Sequence, residues 1–589
     1  MMKRTIWIPV VAAAIAVAAA TAFFGTGADA PVPYEEAPDP APGLAADWAA
    51  APDLAVGFAG CDERSPKGLP LGFEPEPTWR TAAWRGERVH TRIVLATKQR
   101  LERVTVEAGA LTGSAGRIPA SAVEVGRIRY VLTDGLGETG SGCGISPERQ
   151  AAATLCEDAI DPQCTGAVEA CTVRPFWLSV QVPRDVRPGV YEGCAAVYAD
   201  GRKFELPYTV EVGERVLPAP SEWRFHLDLW QNPYSVARYY GVPAWSEEHF
   251  ARMKPYMELL ARAGQKVVTV SMIYDPWRGQ TYDVYDSMIR WVKHADGSWS
   301  YDYGIFDRWV GFMEELGIDG SIDCYTMVPW NNRFYYYDEA AGCDAVLEAA
   351  TGTPEFEAHW EPMLRDFARH LRATGRFAKT AIAMDERPLA DMQSVIRLVK
   401  RVEPEFRIAL AGNYHAEIEA DICDYSIALA DRFPPEVLAA RRRAGRPATF
   451  YTCCVEGVPN TFTFSPPAEA AWMGWHAAAR GYAGYLRWAY NCWPEDPLRD
   501  SRFGTWSGGD TYLIYPGPRS SVRFERLIEG IQDYEKTNLL MEEFAREGRS
   551  GELLPLLGAL EAFDAETLRR DGAAGAVNRA KSILAQYGD

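Results

Sequence analysis

Two carboxylates stand side by side in the stretch AIAMDERPLADM, residues 381–392. An apolar run stops at Asp385 and Glu386, and Pro388 opens a helical pattern. Acids at the start of a helix are favourable toward its dipole, which is the plain structural account of the pair. The chemical account is proton transfer. A general acid must keep its proton near neutral pH, and burial or a neighbouring anion raises a carboxyl pKa. Asp385 is expected to hold Glu386 protonated in this way, and a positioned donor contributes on the order of 10²–10⁴-fold in rate. Adjacent residues on a regular strand point to opposite faces. Both side chains serve one substrate only where the chain leaves strand geometry, and a strand ending at Asp385 permits that.

The elements that position the pair follow from hydrophobic rhythm. From Trp223 onward, eight apolar strand candidates alternate with amphipathic helices: RFHLDLW, KVVTVSM, GSIDCYTM, KTAIAMD, RIALAG, DYSIAL, PATFYTC and AGYLRWAY. Several helices carry proline near the start and glycine after the end, and Ser246 is placed to cap one of them. Eight such units predict a (β/α)8 TIM barrel over 218–589, completed by C-terminal helices; a doubly wound sheet is the rival. From 53 to 217 the rhythm is different. Short β-branched runs with period-two alternation, such as FWLSVQVP and KFELPYTVEV, are separated by turn residues and predict an antiparallel β-sandwich. The chain is thus expected to be multidomain, with the sandwich before the barrel.

Barrel chemistry sits at the carboxyl ends of the strands. Those ends supply Asp228 and Trp230, Asp275 and Trp277, Trp330 and Asn331, then Asn413, Tyr414 and His415, Asp431, Tyr451, Trp488, Tyr490 and Asn491. Indole and phenol faces stack on the apolar faces of sugar rings, while amides and acids bond hydroxyls. Trp230, Trp330, Asn331, Asn413, Tyr451, Trp488, Tyr490 and Asn491 are therefore the candidate substrate contacts, and the implied reaction is glycoside hydrolysis. A pair of neighbours fits poorly with two carboxylates flanking a glycosidic bond. It suits a 2-acetamido oxygen of the substrate as nucleophile, with Asp385 orienting that amide and Glu386 as acid/base. The competing assignments are a protein nucleophile such as Asp228 or Asp424, and a glycan-binding protein without catalysis.

The first thirty residues read as an export signal or an N-terminal anchor. Lys3 and Arg4 precede an apolar run from Ile6 to Phe24, and Ala28-Asp29-Ala30 has the form of a cleavage site. Residues 31–52, rich in Pro, Ala and acids, read as a tether. Export permits disulfides among the twelve cysteines, six on either side of the domain boundary, and even counts fit pairing within domains. The run from Cys143 to Cys171 has little periodicity and reads as an insert in need of staples. No cysteine spacing matches a zinc site well, and neither metal nor cofactor is expected. A formal net charge of −19 argues against nucleic acid as a partner.

The stretches HLDLWQNPYSVARYYGVPAWSEEHF, CYTMVPWNN, AMDERP, GYLRWAYNCWPEDP, SGGDTYLIYPG and SVRFERLIEGIQDYE carry a resemblance. Over about 53–545 the chain resembles glycoside hydrolase family 123, the exo-acting β-N-acetylgalactosaminidases. The resemblance implies a β-sandwich before a (β/α)8 barrel and substrate-assisted catalysis with retention. It implies that Asp385 orients and stabilises the acetamido group and that Glu386 is the acid/base. It also implies a glycan or glycolipid carrying terminal N-acetylgalactosamine as partner. SVRFERLIEGIQDYE reads as an amphipathic helix buttressing the barrel.

Overall fold

The structure, a computed structural model, describes residues 32–62, 64–137, 140–144 and 153–588. The expected signal or anchor at 1–30 lies outside the described residues. Among those described, no helix is long and apolar enough to cross a membrane.

The N-terminal domain is two packed sheets. One runs in the order Leu54–Ala59, Arg88–Thr97, Thr172–Gln181, Val123–Thr133, Thr154–Asp161. The other is built on the long hairpin Gly189–Ala199 and Arg202–Val216, flanked by Leu101–Ala108 and Trp79–Arg85. Ile93, Leu178, Val197 and Val210, all fully buried, share the core between them. Every named pair in these two sheets is antiparallel except Trp79–Arg85 beside Arg202–Val216.

Two sequence expectations need correction here. Residues 31–52 are not a free tether once past Pro33. The phenol of Tyr34 lies in the fold, Glu36 pairs with Lys67 (2.8 Å) and with Arg174, and Trp48 packs on Ala96 and Val173. The run from Cys143 to Cys171, read as an insert of little periodicity, contributes a strand to each sheet. Thr154–Asp161 is an edge strand of the first sheet, and Thr165–Val168 pairs with Leu101–Ala108. Acids hid the first of these strands from a hydrophobicity reading. Its Glu157, Asp158 and Asp161 are buried because Arg92, Arg523 and Arg519 meet them.

The C-terminal half contains eight parallel strands: β1 (His226–Leu229), β2 (Val267–Ser271), β3 (Ser321–Tyr325), β4 (Thr380–Met384), β5 (Arg407–Gly412), β6 (Asp424–Ala428), β7 (Ala448–Tyr451) and β8 (Gly484–Arg487). Each falls inside its expected stretch. They follow one another in order, and β8 pairs with β1. The ring closes narrowly between β1 and β2, where the Lys266 N–H donates to the Leu227 carbonyl at 3.0 Å. Helices cover the outside. Ser246 caps Glu247–Arg262 by accepting from the His249 N–H at 3.1 Å. Among the described residues, the β5–β6 connection carries only the short 3-10 turn Glu419–Asp421. A four-stranded aromatic sheet, Arg290–Lys293, Trp299–Asp302, Arg333–Asp338 and Cys343–Glu348, is inserted around β3 and was not foreseen.

Alternation within β4 and β5 makes the interior roomy at one level. Ala381, Ala383, Ala409 and Ala411 share a cluster with Trp230, Trp277 and Tyr325. Period two sends Ile382 and Met384 to the opposite face. Small inward residues leave space for the indoles beside them.

The helix Val522–Arg546 joins the two domains. It is buried on all sides from Val522 to Thr537, rather than amphipathic as expected. Its charges are matched by the sandwich: Arg523 with Asp158 (2.8 Å), Arg526 with Asp62 (2.7 Å), Glu525 with Arg88 (3.0 Å) and Lys536 with Glu87 (2.7 Å). Gly530 and Gly474 let this helix cross Pro467–Arg480 closely; a Cβ on Gly474 would lie 1.9 Å from the Gly530 carbonyl oxygen. Cys143 and Cys454 form a disulfide across 311 residues, so pairing runs between domains and not within them. The other ten cysteines are free.

Candidate active site

β4 ends at Met384, which resolves the geometry of the acidic pair. Asp385 continues the inward parity of Ala381 and Ala383. Glu386 lies past the strand, where parity no longer sends it outward. Both line a cavity of about 160 Å³ at the carboxyl end of the barrel. Trp230, Trp330, Tyr451 and Trp488 line it as well.

The Trp330 indole N–H donates to Asp385 Oδ2 at 3.1 Å, and the Arg387 guanidinium sits 5.1 Å from the Trp330 ring. Burial, reinforced by the Glu386 charge, pushes the Asp385 carboxyl up to about 6. The Glu386 N–H and the Trp330 and Trp277 indoles pull in the other direction. Trp277 does this without a full hydrogen bond, since its buried N–H meets no acceptor in good geometry. Glu386 Oε1 accepts a hydrogen bond from the Tyr451 phenol. Burial and the Glu386 charge raise the Tyr451 pKa, so that phenol stays a donor.

The tryptophans are held from behind by acids. Trp230 donates to Asp228 Oδ2 (3.3 Å) and packs 5.2 Å from Trp277 and 4.5 Å from Tyr325. Trp488 donates to Asp510 Oδ1 at 3.3 Å, and the same oxygen takes Arg487 at 2.6 Å. Asp510 belongs to SGGDTYLIYPG, so that stretch works by locking β8 and its Trp488. Gly509 before it has φ +80°, and a Cβ there would lie 2.1 Å from Thr463 Oγ1.

Four candidate contacts do not line the cavity. Tyr490 is fully buried and donates to the Tyr256 carbonyl at 2.8 Å. Asn491 bonds the Asn232 backbone on both sides, at 2.9 and 2.8 Å. Both follow the end of β8 at Arg487, where the chain turns away to brace the barrel mouth. Asn331 accepts from the Arg333 N–H at 3.1 Å and starts the inserted sheet. Asn413 is exposed, and its carbonyl accepts from the Tyr425 phenol. The rival nucleophiles are also absent from the lining. Asp228 is buried beneath Trp230, and Asp424 opens β6 at the opposite end of the barrel, 2.6 Å from His226.

Sequence reasoning missed Gln280, Trp506 and the rim residues Cys453, Cys454 and Val455. Trp277 was visible as a strand-end aromatic but was not among the chosen contacts. Trp506 offers no periodic signal, since it lies in a loop far beyond β8; its N–H donates to the Gln280 carbonyl at 3.1 Å.

Indole faces around a carboxyl pair accommodate a sugar, and a proton donor at that position suits cleavage of its glycosidic bond. The class of protein is a glycoside hydrolase. The sequence profile of the glycoside hydrolase 123 catalytic domain matches residues 230–540, more than half of the chain, and that of the family's N-terminal domain matches 67–199. The chain belongs to glycoside hydrolase family 123. A solved family 123 glycoside hydrolase from Clostridium perfringens, studied for glycolipid glycan hydrolysis, is 26% identical with a TM-score of 0.82; the match covers 91% of this chain and 98% of that one. β-Glucuronidase 3 of Bacteroides uniformis (11% identity, TM-score 0.27, covering 82% and 52%) and a β-glucuronidase of Parabacteroides merdae (9%, 0.29, 76% and 50%) are too distant to carry an argument. No curated protein matches.

Proposed function

We propose that this hydrolase releases terminal β-linked N-acetylgalactosamine by substrate-assisted catalysis with retention. One observation carries the reading: among the described residues lining the cavity, Asp385 and Glu386 are the only acids. A retaining enzyme with a protein nucleophile needs a second carboxylate across the sugar, about 5–5.5 Å from the acid. Neighbouring acids leave that role to the substrate's own acetamido group.

The steps follow from this arrangement. Glu386 gives its proton to the glycosidic oxygen as the C1–O bond breaks. The acetamido oxygen bonds C1 from the opposite face. Ionised Asp385 accepts the amide N–H and balances the positive charge of the oxazolinium ring. Water then attacks C1, Glu386 takes its proton, and the ring reopens; two inversions give retention. Holding the acetamido oxygen in place makes attack intramolecular, where effective molarities reach on the order of 10⁵–10⁸ M. The choice of galacto configuration rests on the family resemblance; the glycolipid glycan hydrolysis studied in the Clostridium perfringens relative supports a glycan substrate. Residues 1–30 support export, with the chain either released or tethered to a membrane; cell fractionation with N-terminal sequencing tests that part.

The deciding experiment compares aryl β-N-acetylgalactosaminide with the β-N-acetylglucosaminide while NMR follows the first-formed anomer. Retention with a preference for the galactosaminide is expected. An inverted product, or a covalent adduct with a fluorosugar lacking the acetamido group, excludes the mechanism.

A further inference from the structure

A run of aromatic rings leaves the cavity along one side of its mouth. Trp488 and Trp506 line the cavity, 6.1 Å apart. Trp506 is bridged in antiparallel fashion to Phe503, and the Phe503 ring lies 6.0 Å from Tyr282. Tyr282 stands two residues beyond Gln280, which lines the cavity and holds the Trp506 indole through its carbonyl. The run thus joins the loop after β2 to the loop after β8.

Tyr282 is 42% exposed, yet it is firmly seated. The Arg238 guanidinium lies over the ring, 4.6 Å from its centroid. Arg238 is itself fixed by Asp283 (2.8 and 2.9 Å) and by the carbonyls of Trp493 (2.9 Å) and Pro494 (3.0 Å). The loop carrying Tyr282 is tied down on both sides. The Asp275 N–H donates to the Tyr285 carbonyl at 2.8 Å, and the Asn232 side chain donates to the Asp283 carbonyl at 3.2 Å. A ring that is half open to water and cannot swing away loses little entropy when another apolar face covers it.

We propose that Tyr282, with Phe503 beside it, is the platform for the second sugar of the substrate, the one that departs with the glycosidic oxygen. The inference rests on the function proposed above: with the terminal sugar in the cavity, everything beyond the scissile oxygen lies at the mouth. The occupant is a neutral sugar ring. Its C–H face stacks on Tyr282, and Arg238 behind the ring fixes the platform's height without touching the ligand. Specificity for the residue under the terminal sugar then comes from these two loops rather than from the carboxyl pair.

The test uses the full chain and three substrates: an aryl β-N-acetylgalactosaminide, a free oligosaccharide ending in β-N-acetylgalactosamine, and the same oligosaccharide on ceramide. Tyr282→Ala is expected to lower kcat/KM on the free oligosaccharide about tenfold, which corresponds to about 1.4 kcal/mol. The ceramide-linked form should fall in parallel, and the aryl substrate by less than about twofold. Tyr282→Phe keeps the ring and should stay within about twofold on all three. Phe503→Ala should show the same pattern as Tyr282→Ala, at smaller amplitude. Equal losses on the aryl substrate and the oligosaccharide would mean a structural role and overturn the platform. A loss confined to the ceramide-linked form would assign the ring to lipid and overturn it too, as would no loss anywhere. Wild-type protein that cleaves none of the three refutes the proposed function, and the platform falls with it.

Discussion

Replacing Asp385 with Asn separates what the carboxylate does for catalysis from what it costs the fold. Burial and the Glu386 charge move Asp385 from an ordinary 3.8 to about 6. Between those values the folded chain binds a proton that the unfolded chain has lost. Stability therefore falls as pH rises through that window, and the penalty is complete above it. The shift corresponds to about 3 kcal/mol at most. Asp385 is partly open to the cavity, so solvent screening reduces this to about 1–2 kcal/mol. Asn keeps an acceptor for the Trp330 indole and the side-chain volume, but carries no charge. Urea unfolding at pH 4 and pH 8 should find Asp385→Asn close to wild type at pH 4 and about 1–2 kcal/mol more stable at pH 8. On the proposed mechanism, turnover should fall on the order of 10²–10³-fold, because nothing then balances the oxazolinium charge. Wild-type kcat/KM should rise with pH through about 6, and that acidic limb should vanish in the variant. A variant destabilised equally at both pH values would refute the reasoning, since it would make Asp385 a structural carboxylate.

Glu386→Gln should cut turnover of natural glycans on the order of 10²–10⁴-fold while sparing aryl substrates whose leaving group needs no proton; retained activity on a glycan would contradict the acid role. Tyr451→Phe removes a hydrogen bond to a carboxylate and should lower kcat about tenfold with little change in KM, read from initial rates. Trp488→Ala should raise KM for the aryl substrate severalfold, with loss of ring stacking as the cause. Replacing Cys143 and Cys454 by Ser together should destabilise the chain by up to about 5 kcal/mol, given the long loop closed, as measured by urea midpoints with and without reductant.

What could be read in advance divides along physical lines. The barrel strands were legible because strands buried on both faces are continuous apolar runs, and Thr380–Met384 and Arg407–Gly412 show this plainly. The acidic pair was legible because it interrupts such a run. Thr154–Asp161 was hidden because its burial depends on arginines more than 350 residues away, such as Arg519 and Arg523. Tyr490 and Asn491 were misjudged by three or four residues of strand length. β8 stops at Arg487, and beyond it an aromatic or an amide braces as readily as it binds. Trp506 reaches the cavity by a loop, and no local pattern encodes where a loop returns.

The charges matched across the helix Val522–Arg546 bear on how such a chain can be divided. Arg523, Arg526 and Lys536 are buried, and their partners Asp158, Asp62 and Glu87 all come from the sandwich. A barrel expressed without its N-terminal partner would leave Arg523 without Asp158, and Arg526 and Lys536 with only Glu529 and Asp533 of their own helix, while opening the apolar residues around them to water. Neither half is a portable module. Any exchange of sandwiches between relatives has to carry over its acids at these positions, or the recipient hydrolase will not hold its shape.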